Sequence, residues 1–140
     1  MSATLHAGRV SVGDELPALE IPVTATSIIA GAIASRDYQD VHHDALLARE
    51  RGAKDIFMNI LTTNGLVGRF VTDWAGPEAL LRGVSIRLGV PNYPGDVMRL
   101  TGRVAAVEGG EVTVEIRGAN GLGDHVTGTV KLVLPAEGGS

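Results

Sequence analysis

The sequence has no cysteine, which removes disulfides, thiolate chemistry and zinc–cysteine sites together. It has no surplus of positive charge either: 12 Lys and Arg against 16 Asp and Glu leave a formal net charge of −4. A chain without a basic footprint is a poor partner for nucleic acid. No apolar run approaches the roughly 18 residues that a membrane span needs, and the N-terminus carries no signal-peptide core. No segment repeats, and none is of low complexity. The glycines of "GLVG", residues 65–68, make no phosphate loop, because no strand precedes them and no Lys-Ser/Thr pair follows. These absences leave a soluble, cytoplasmic domain whose partners are neither nucleic acid nor membrane.

What is present is one domain over residues 1–140, with an ordered core of about 9–135 and tails at Met1–Gly8 and Ala136–Ser140. Period-two alternation predicts four strands, at residues 84–90, 98–106, 112–117 and 126–134. The separators "PNYPGD", "EGG" and "ANGLGD" are turn chemistry, so the strands run antiparallel. Residues 55–75 are apolar on nearly every face, the mark of a buried helix, and Gly76-Pro77 stops it. Gly65 and Gly68 inside it cost about 1 kcal/mol each against alanine, which close approach to a neighbouring backbone would offset; a break into two helices is the alternative. Short helices are predicted at "TSIIAGAIA" and at "DALLARER", the latter with Asp44 as N-cap and Gly52 just past its end. One buried helix followed by an antiparallel sheet is an α+β layout in which the sheet wraps the helix. The outer sheet face is weakly polar, so an oligomer is expected.

One stretch breaks the aliphatic pattern. "SRDYQDVHHDALLARERG", residues 35–52, places Asp37, Asp40, His42, His43 and Asp44 close together. Three readings compete. A solvated, turn-capping role suits aspartates in a loop. A metal cage is disfavoured, because adjacent histidines point apart and neither HxH nor HxxxH spacing occurs. An acid/base pair is the third: a loop can turn Asp37 and His42 toward one point, and proton transfer near neutral pH uses a carboxylate beside an imidazole. The residues alone leave the first and third standing. His43 is expected at the surface, His125 exposed or at an interface on the Thr127–Thr129–Lys131 face, and His6 in the tail. Thr62, Thr63 and Asn64 read as satisfied polar groups within the helix.

With its continuation, "SRDYQDVHHDALLARERGAKDIFMNILT" resembles the signature of the MaoC-like (R)-specific enoyl-CoA hydratases, which have the hotdog fold. That signature runs approximately S-G-D-x-N-P-[IL]-H-x-D, then a glycine, then I-A-H-G-M-L-T at the start of the long helix. Asp37, His42 and Asp44 fall on its Asp, His and downstream acid. "IRLGVPNYPGDVMRLTGRV" is similar to the family's strand, turn and next strand. The resemblance spans residues 20–135. Three departures stand out: Arg36 replaces the glycine after Ser, Gln39-Asp40 replaces Asn-Pro, and Met58-Asn59 replaces His-Gly. The wording is similar to the small MaoC-like subunits of actinobacterial steroid side-chain degradation.

The resemblance implies a single hotdog domain that adds water across the α,β double bond of a bulky enoyl-CoA. Asp37 and His42 would grip the water. The backbone N–H of Asn59 would hold the enolate-like thioester oxygen at the start of the long helix. No cofactor is implied, since coenzyme A is part of the substrate. The implied partner is a companion MaoC-like chain that lacks the pair and commonly carries a DUF35 domain, with a homodimer as the alternative. Two other functions compete. A hotdog thioesterase usually has a carboxylate on the long helix, where this chain has only Asp55 and Asp73 at the ends. A non-catalytic acyl-CoA-binding or scaffolding subunit would have no need of Asp37 and His42.

Overall fold

A computed structural model describes residues 4–136 of the chain; the remaining parts of the expected tails, 1–3 and 137–140, lie outside the described residues. In chain order the elements are β1 (Glu15–Pro22), α1 (Ala25–Ala34), α2 (Ala45–Glu50), α3 (Ile60–Ala75), β2 (Leu80–Leu88), β3 (Val97–Glu108), β4 (Glu111–Asn120) and β5 (Gly123–Val133). Single 3₁₀ turns occupy Ala7–Arg9 and Asp40–His42. The four alternating stretches are strands β2 to β5. They form one antiparallel sheet with β1, in the order β1-β3-β4-β5-β2. Met98, Leu100 and Val104, then Val112, Val114 and Ile116, then Val126, Val130 and Leu132 put the buried face of three central strands on one side. Each such side chain contributes about 1.5–3 kcal/mol by leaving water.

That face receives α3. Thr63, Val67, Phe70, Val71 and Ala75 recur at helical spacing and are buried, and the helix packs on β1, β2, β3 and β5. The α+β layout is the expected one, a sheet wrapped around a helix, with three differences. The helix begins at Ile60 rather than 55, because Phe57 and Met58 give their N–H groups to Val41 O and Asn92 O as extended chain. One side of α3 is exposed, with Ile60 at 50% and Leu61 at 53%, so the helix is buried on one face only. It also runs unbroken through Gly65 and Gly68, and neither meets a backbone. A Cβ on Gly65 would stand in open space, and one on Gly68 would touch only the side chains of Leu81 and Val84. The close approach is at Gly31 of α1, where a Cβ would collide with the Thr62 side chain of α3. The described part of the N-terminal tail is tied down: Leu5 N–H donates to Ala75 O and Ala7 N–H to Pro135 O.

Candidate active site

The site is assembled from two chain segments joined directly, among other bonds by Phe57 N–H to Val41 O. The first leaves α1. Thr24 and Ser27 close the start of α1 with a reciprocal capping box. At its end Asp37 N–H reaches back to Ala32 O and Arg36 N–H to Ile33 O, which is a Schellman turn. The turn requires a left-handed residue, and Arg36 fills it at φ 56°, the position at which the hydratase signature has glycine. Asp37 follows at once, so the turn fixes where its carboxylate emerges. Next the chain makes the 3₁₀ turn carrying His42, and α2 begins under the cap of Asp44, whose Oδ1 accepts Leu47 N–H at 3.1 Å. The loop is stapled by Asp40, whose two oxygens take Arg51 Nε and Nη2 at 2.8 and 2.9 Å. These hydrogen bonds to the guanidinium hold the Asp40 carboxyl below its usual range. Gly52, at φ 95°, ends α2 where expected.

The second segment is the extended run into α3. Phe57 O accepts His42 Nδ1–H at 2.7 Å, and the Phe57 ring meets the imidazole edge to face, with centroids 5.0 Å apart. This bond fixes the tautomer: the neutral ring carries its proton on Nδ1 and presents a lone pair at Nε2. Nε2 lies 3.4 Å from Asp37 Oδ2. Two acceptors this close can both be reached by one donor molecule beside them, and water supplies two protons. Asn59 is the N-cap of α3, its Oδ1 accepting Thr62 N–H at 3.1 Å. Among the described residues no acceptor takes the Asn59 backbone N–H.

Asp37, His42 and Asn59 therefore come together, and they line one cleft of about 320 Å³. Its remaining walls are Gln39, Phe57, Met58, Ile60, Leu88 to Pro91 and His125. A larger groove, about 710 Å³, lies over β1, β3 and β4. Its arginines are paired, Arg99 with Glu20, Arg103 with Glu115 and Arg117 with Asp124, and it holds no acid/base couple. His43 is exposed and away from the cleft, and His6 Nδ1 sits at 3.1 Å from Ala136 O at the surface.

His125 is not where the alternation placed it. It is 2% exposed, with Nδ1–H donating to Val90 O at 2.7 Å and Nε2 accepting from Thr63 Oγ1 at 2.8 Å. Between β4 and β5 the register steps from Gly118 opposite Val126 to Ala119 opposite Asp124, so His125 is an extra, unpaired residue. Such a bulge turns a side chain off its alternating face, here inward. Burial pushes the imidazole below its ordinary value, against the Val90 carbonyl and the Asp96 carboxylate, which act the other way. Thr63 is the satisfied polar group the sequence implied. Ser35, which the sequence did not single out, enters the site by accepting from Asn59 Nδ2 at 2.9 Å.

No family model matches the chain. A curated relative does: the 3-oxo-4,17-pregnadiene-20-carboxyl-CoA hydratase beta subunit of Mycobacterium tuberculosis is 54% identical over 123 residues, 88% of this chain and 95% of the relative. The chain belongs to the MaoC-like hydratase family. Solved structures agree. A chain of the crystal structure of the ChsH1-ChsH2 complex from Mycobacterium tuberculosis superposes with a TM-score of 0.87 at 52% identity, covering 89% of this chain and 98% of that one. The (R)-hydratase PhaJ1 of Pseudomonas aeruginosa, unliganded, gives 0.85 at 21% identity over 96% and 88%. At that identity the likeness speaks for the fold, which in this MaoC-like chain is the hotdog. Among the described residues no helix is long and apolar enough to cross a membrane.

Proposed function

We propose that the chain hydrates a bulky, steroid-type enoyl-CoA. The observation that carries this reading is the 3.4 Å approach of His42 Nε2 and Asp37 Oδ2 at the wall of a cleft. With Nδ1–H committed to Phe57 O, Nε2 is free to accept a proton from water while the Asp37 carboxylate orients the same molecule. The water oxygen then bonds to Cβ and the double-bond electrons move onto the thioester oxygen. The Asn59 backbone N–H, at the positive end of the α3 dipole, stabilises that charge. The proton held on Nε2 is the one Cα needs, so its transfer completes the addition of H and OH and restores the pair. No step requires a cofactor.

The substrate class comes from the relative, a hydratase named for a pregnadiene carboxyl-CoA. A partner follows from the same comparison, since the relative is named a beta subunit and the superposed chain belongs to a two-component complex. The cleft itself supports a partner. Its lip carries Leu88, 37% exposed, and Ile60, 50% exposed, and β2 is an edge strand with Leu80 and Leu81 also in solvent. A second MaoC-like chain on this edge would cover them and enclose a large acyl group. The thioesterase reading finds no support, because Asp73 pairs with Arg69 in solvent and Asp55 faces Arg49, neither of them in the cleft.

The test is loss of enoyl-thioester absorbance with crotonyl-CoA and a steroid-type enoyl-CoA, with and without the companion chain. Asp37→Asn and His42→Gln should each lower hydration by about 10²–10⁴ without unfolding the chain, and the companion should raise activity on the bulky substrate. His43→Gln should stay near wild type. If His43→Gln is the inactive variant and His42→Gln is not, the pair is misassigned. A monomer fully active alone on the bulky substrate would remove the partner.

A further inference from the structure

The carboxamide of Asn59 has no hydrogen-bonding capacity to spare. Its Oδ1 accepts both Thr62 N–H and Thr62 Oγ1–H. Its Nδ2 donates to Ser35 Oγ at 2.9 Å and to Asp37 Oδ2 at 3.1 Å. The group is buried, with the residue 2% exposed, and an amide can make no more bonds than these. Two things follow. No side-chain donor is left for a thioester oxygen, which leaves that duty to the backbone N–H. The Asp37 oxygen that faces His42 Nε2 is also the one the carboxamide holds.

We propose that Asn59 is a positioning residue, its carboxamide tying the Asp37 carboxylate to the N-cap of α3. The proposal rests on the hydratase reading and deepens it. Without the tie, the Asp37 side chain is held only through Oδ1, by a long 3.3 Å bond from Gln39 N–H, and it projects from a turn strained at Arg36. With it, carboxylate, imidazole and the Asn59 backbone N–H are fixed relative to one helix end. The water's two acceptors and the enolate's donor then keep one mutual geometry through the reaction, and small misplacements of such groups are costly in rate. Ser35 extends the unit backwards, since its hydroxyl donates to Gly31 O at 2.7 Å while accepting from Asn59. The hydratase signature has glycine at this position, so the tie is a feature of this chain's own sequence.

A double-mutant cycle tests it. Asn59→Gly keeps the backbone N–H and a tolerated N-cap but removes the tie. It should lower kcat about tenfold, the scale of one hydrogen bond to a charged group, with KM unchanged. Asn59→Asp retains the cap oxygen yet has no donor for Asp37, so it should fall at least as far. In an Asp37→Asn background, followed by single turnover at high enzyme concentration, Asn59→Gly should make no further difference. Thermal midpoints of all variants show whether each is folded, and the folded one of the two Asn59 variants decides the matter. Wild-type kcat in Asn59→Gly or Asn59→Asp overturns the proposal, and so does a loss that persists undiminished without the Asp37 carboxylate. An Asp37→Asn single variant as active as wild type would instead overturn the hydratase reading on which the proposal stands.

Discussion

His42 and His125 line the same cleft, and each anchors Nδ1–H on a backbone carbonyl at 2.7 Å, Phe57 O for one and Val90 O for the other. They part at Nε2. In His125 that nitrogen takes Thr63 Oγ1–H at 2.8 Å, so both ring nitrogens are satisfied inside the protein. In His42 it faces the Asp37 carboxylate at 3.4 Å, a distance at which two acceptors leave room for a donor from outside. The difference separates a histidine that fastens α3 to the β2 end from one able to carry a proton. Burial does not make the distinction, since both are buried. Nor does position in the cleft. The partner at the second nitrogen does.

The largest effect expected from breaking this contrast is on rate. His42→Gln should lose about 10²–10⁴ of hydration and little stability. Thr63→Val should do the reverse. It keeps the shape of the side chain but leaves His125 Nε2 without a donor, at a cost of about 1–3 kcal/mol in unfolding free energy, with kcat changed only several-fold. Chemical denaturation and steady-state kinetics on the two purified variants give both numbers. A Thr63→Val enzyme as crippled as His42→Gln would mean that His125 takes part in the chemistry.

The contrast also shows how far the sequence could be read. Strands β3 to β5 were legible because each buries one face, which alternation reports directly, and β2 because Val84 and Ile86 are half-buried on alternate positions. β1 was missed: "ELPALEIP" contains Pro17 and Pro22, and its register slips between Leu16 and Leu19. It is an edge strand, where proline and bulges are tolerated and the pattern is lost. His125 was misplaced for the related reason that it is itself the unpaired residue of a bulge, which turns its side chain inward. Asp37 and His42 were visible as residue types in a loop, but their convergence depends on a Schellman turn built on Arg36. Where the signature has glycine, an L-residue at φ 56° sits in a region costing about 1–2 kcal/mol, so local propensity argues against the turn. The cap role of Asn59 could have been taken from its place before "ILTT". Its bond to Asp37 could not, since that joins residues far apart in the chain.

The smallest expected effect is a pH dependence of stability that belongs to His125. Burial lowers the His125 value in the folded chain, overriding the Val90 carbonyl and Asp96, while the unfolded chain titrates near the ordinary 6.5. With the folded value the lower one, the unfolded state binds the extra proton first as pH falls. Stability is therefore full above about pH 6.5 and declines from there down to the depressed folded value. One proton limits the slope to about 1.4 kcal/mol per pH unit. Thermal midpoints of wild type and His125→Gln, measured from about pH 8 to about pH 5.5, isolate the effect. His6, His42 and His43 are present in both proteins, so their contributions cancel in the difference. Wild type should lose stability more steeply across that window, and the two curves should run parallel above it. Parallel curves throughout would mean that burial at the bulge does not hold His125 neutral.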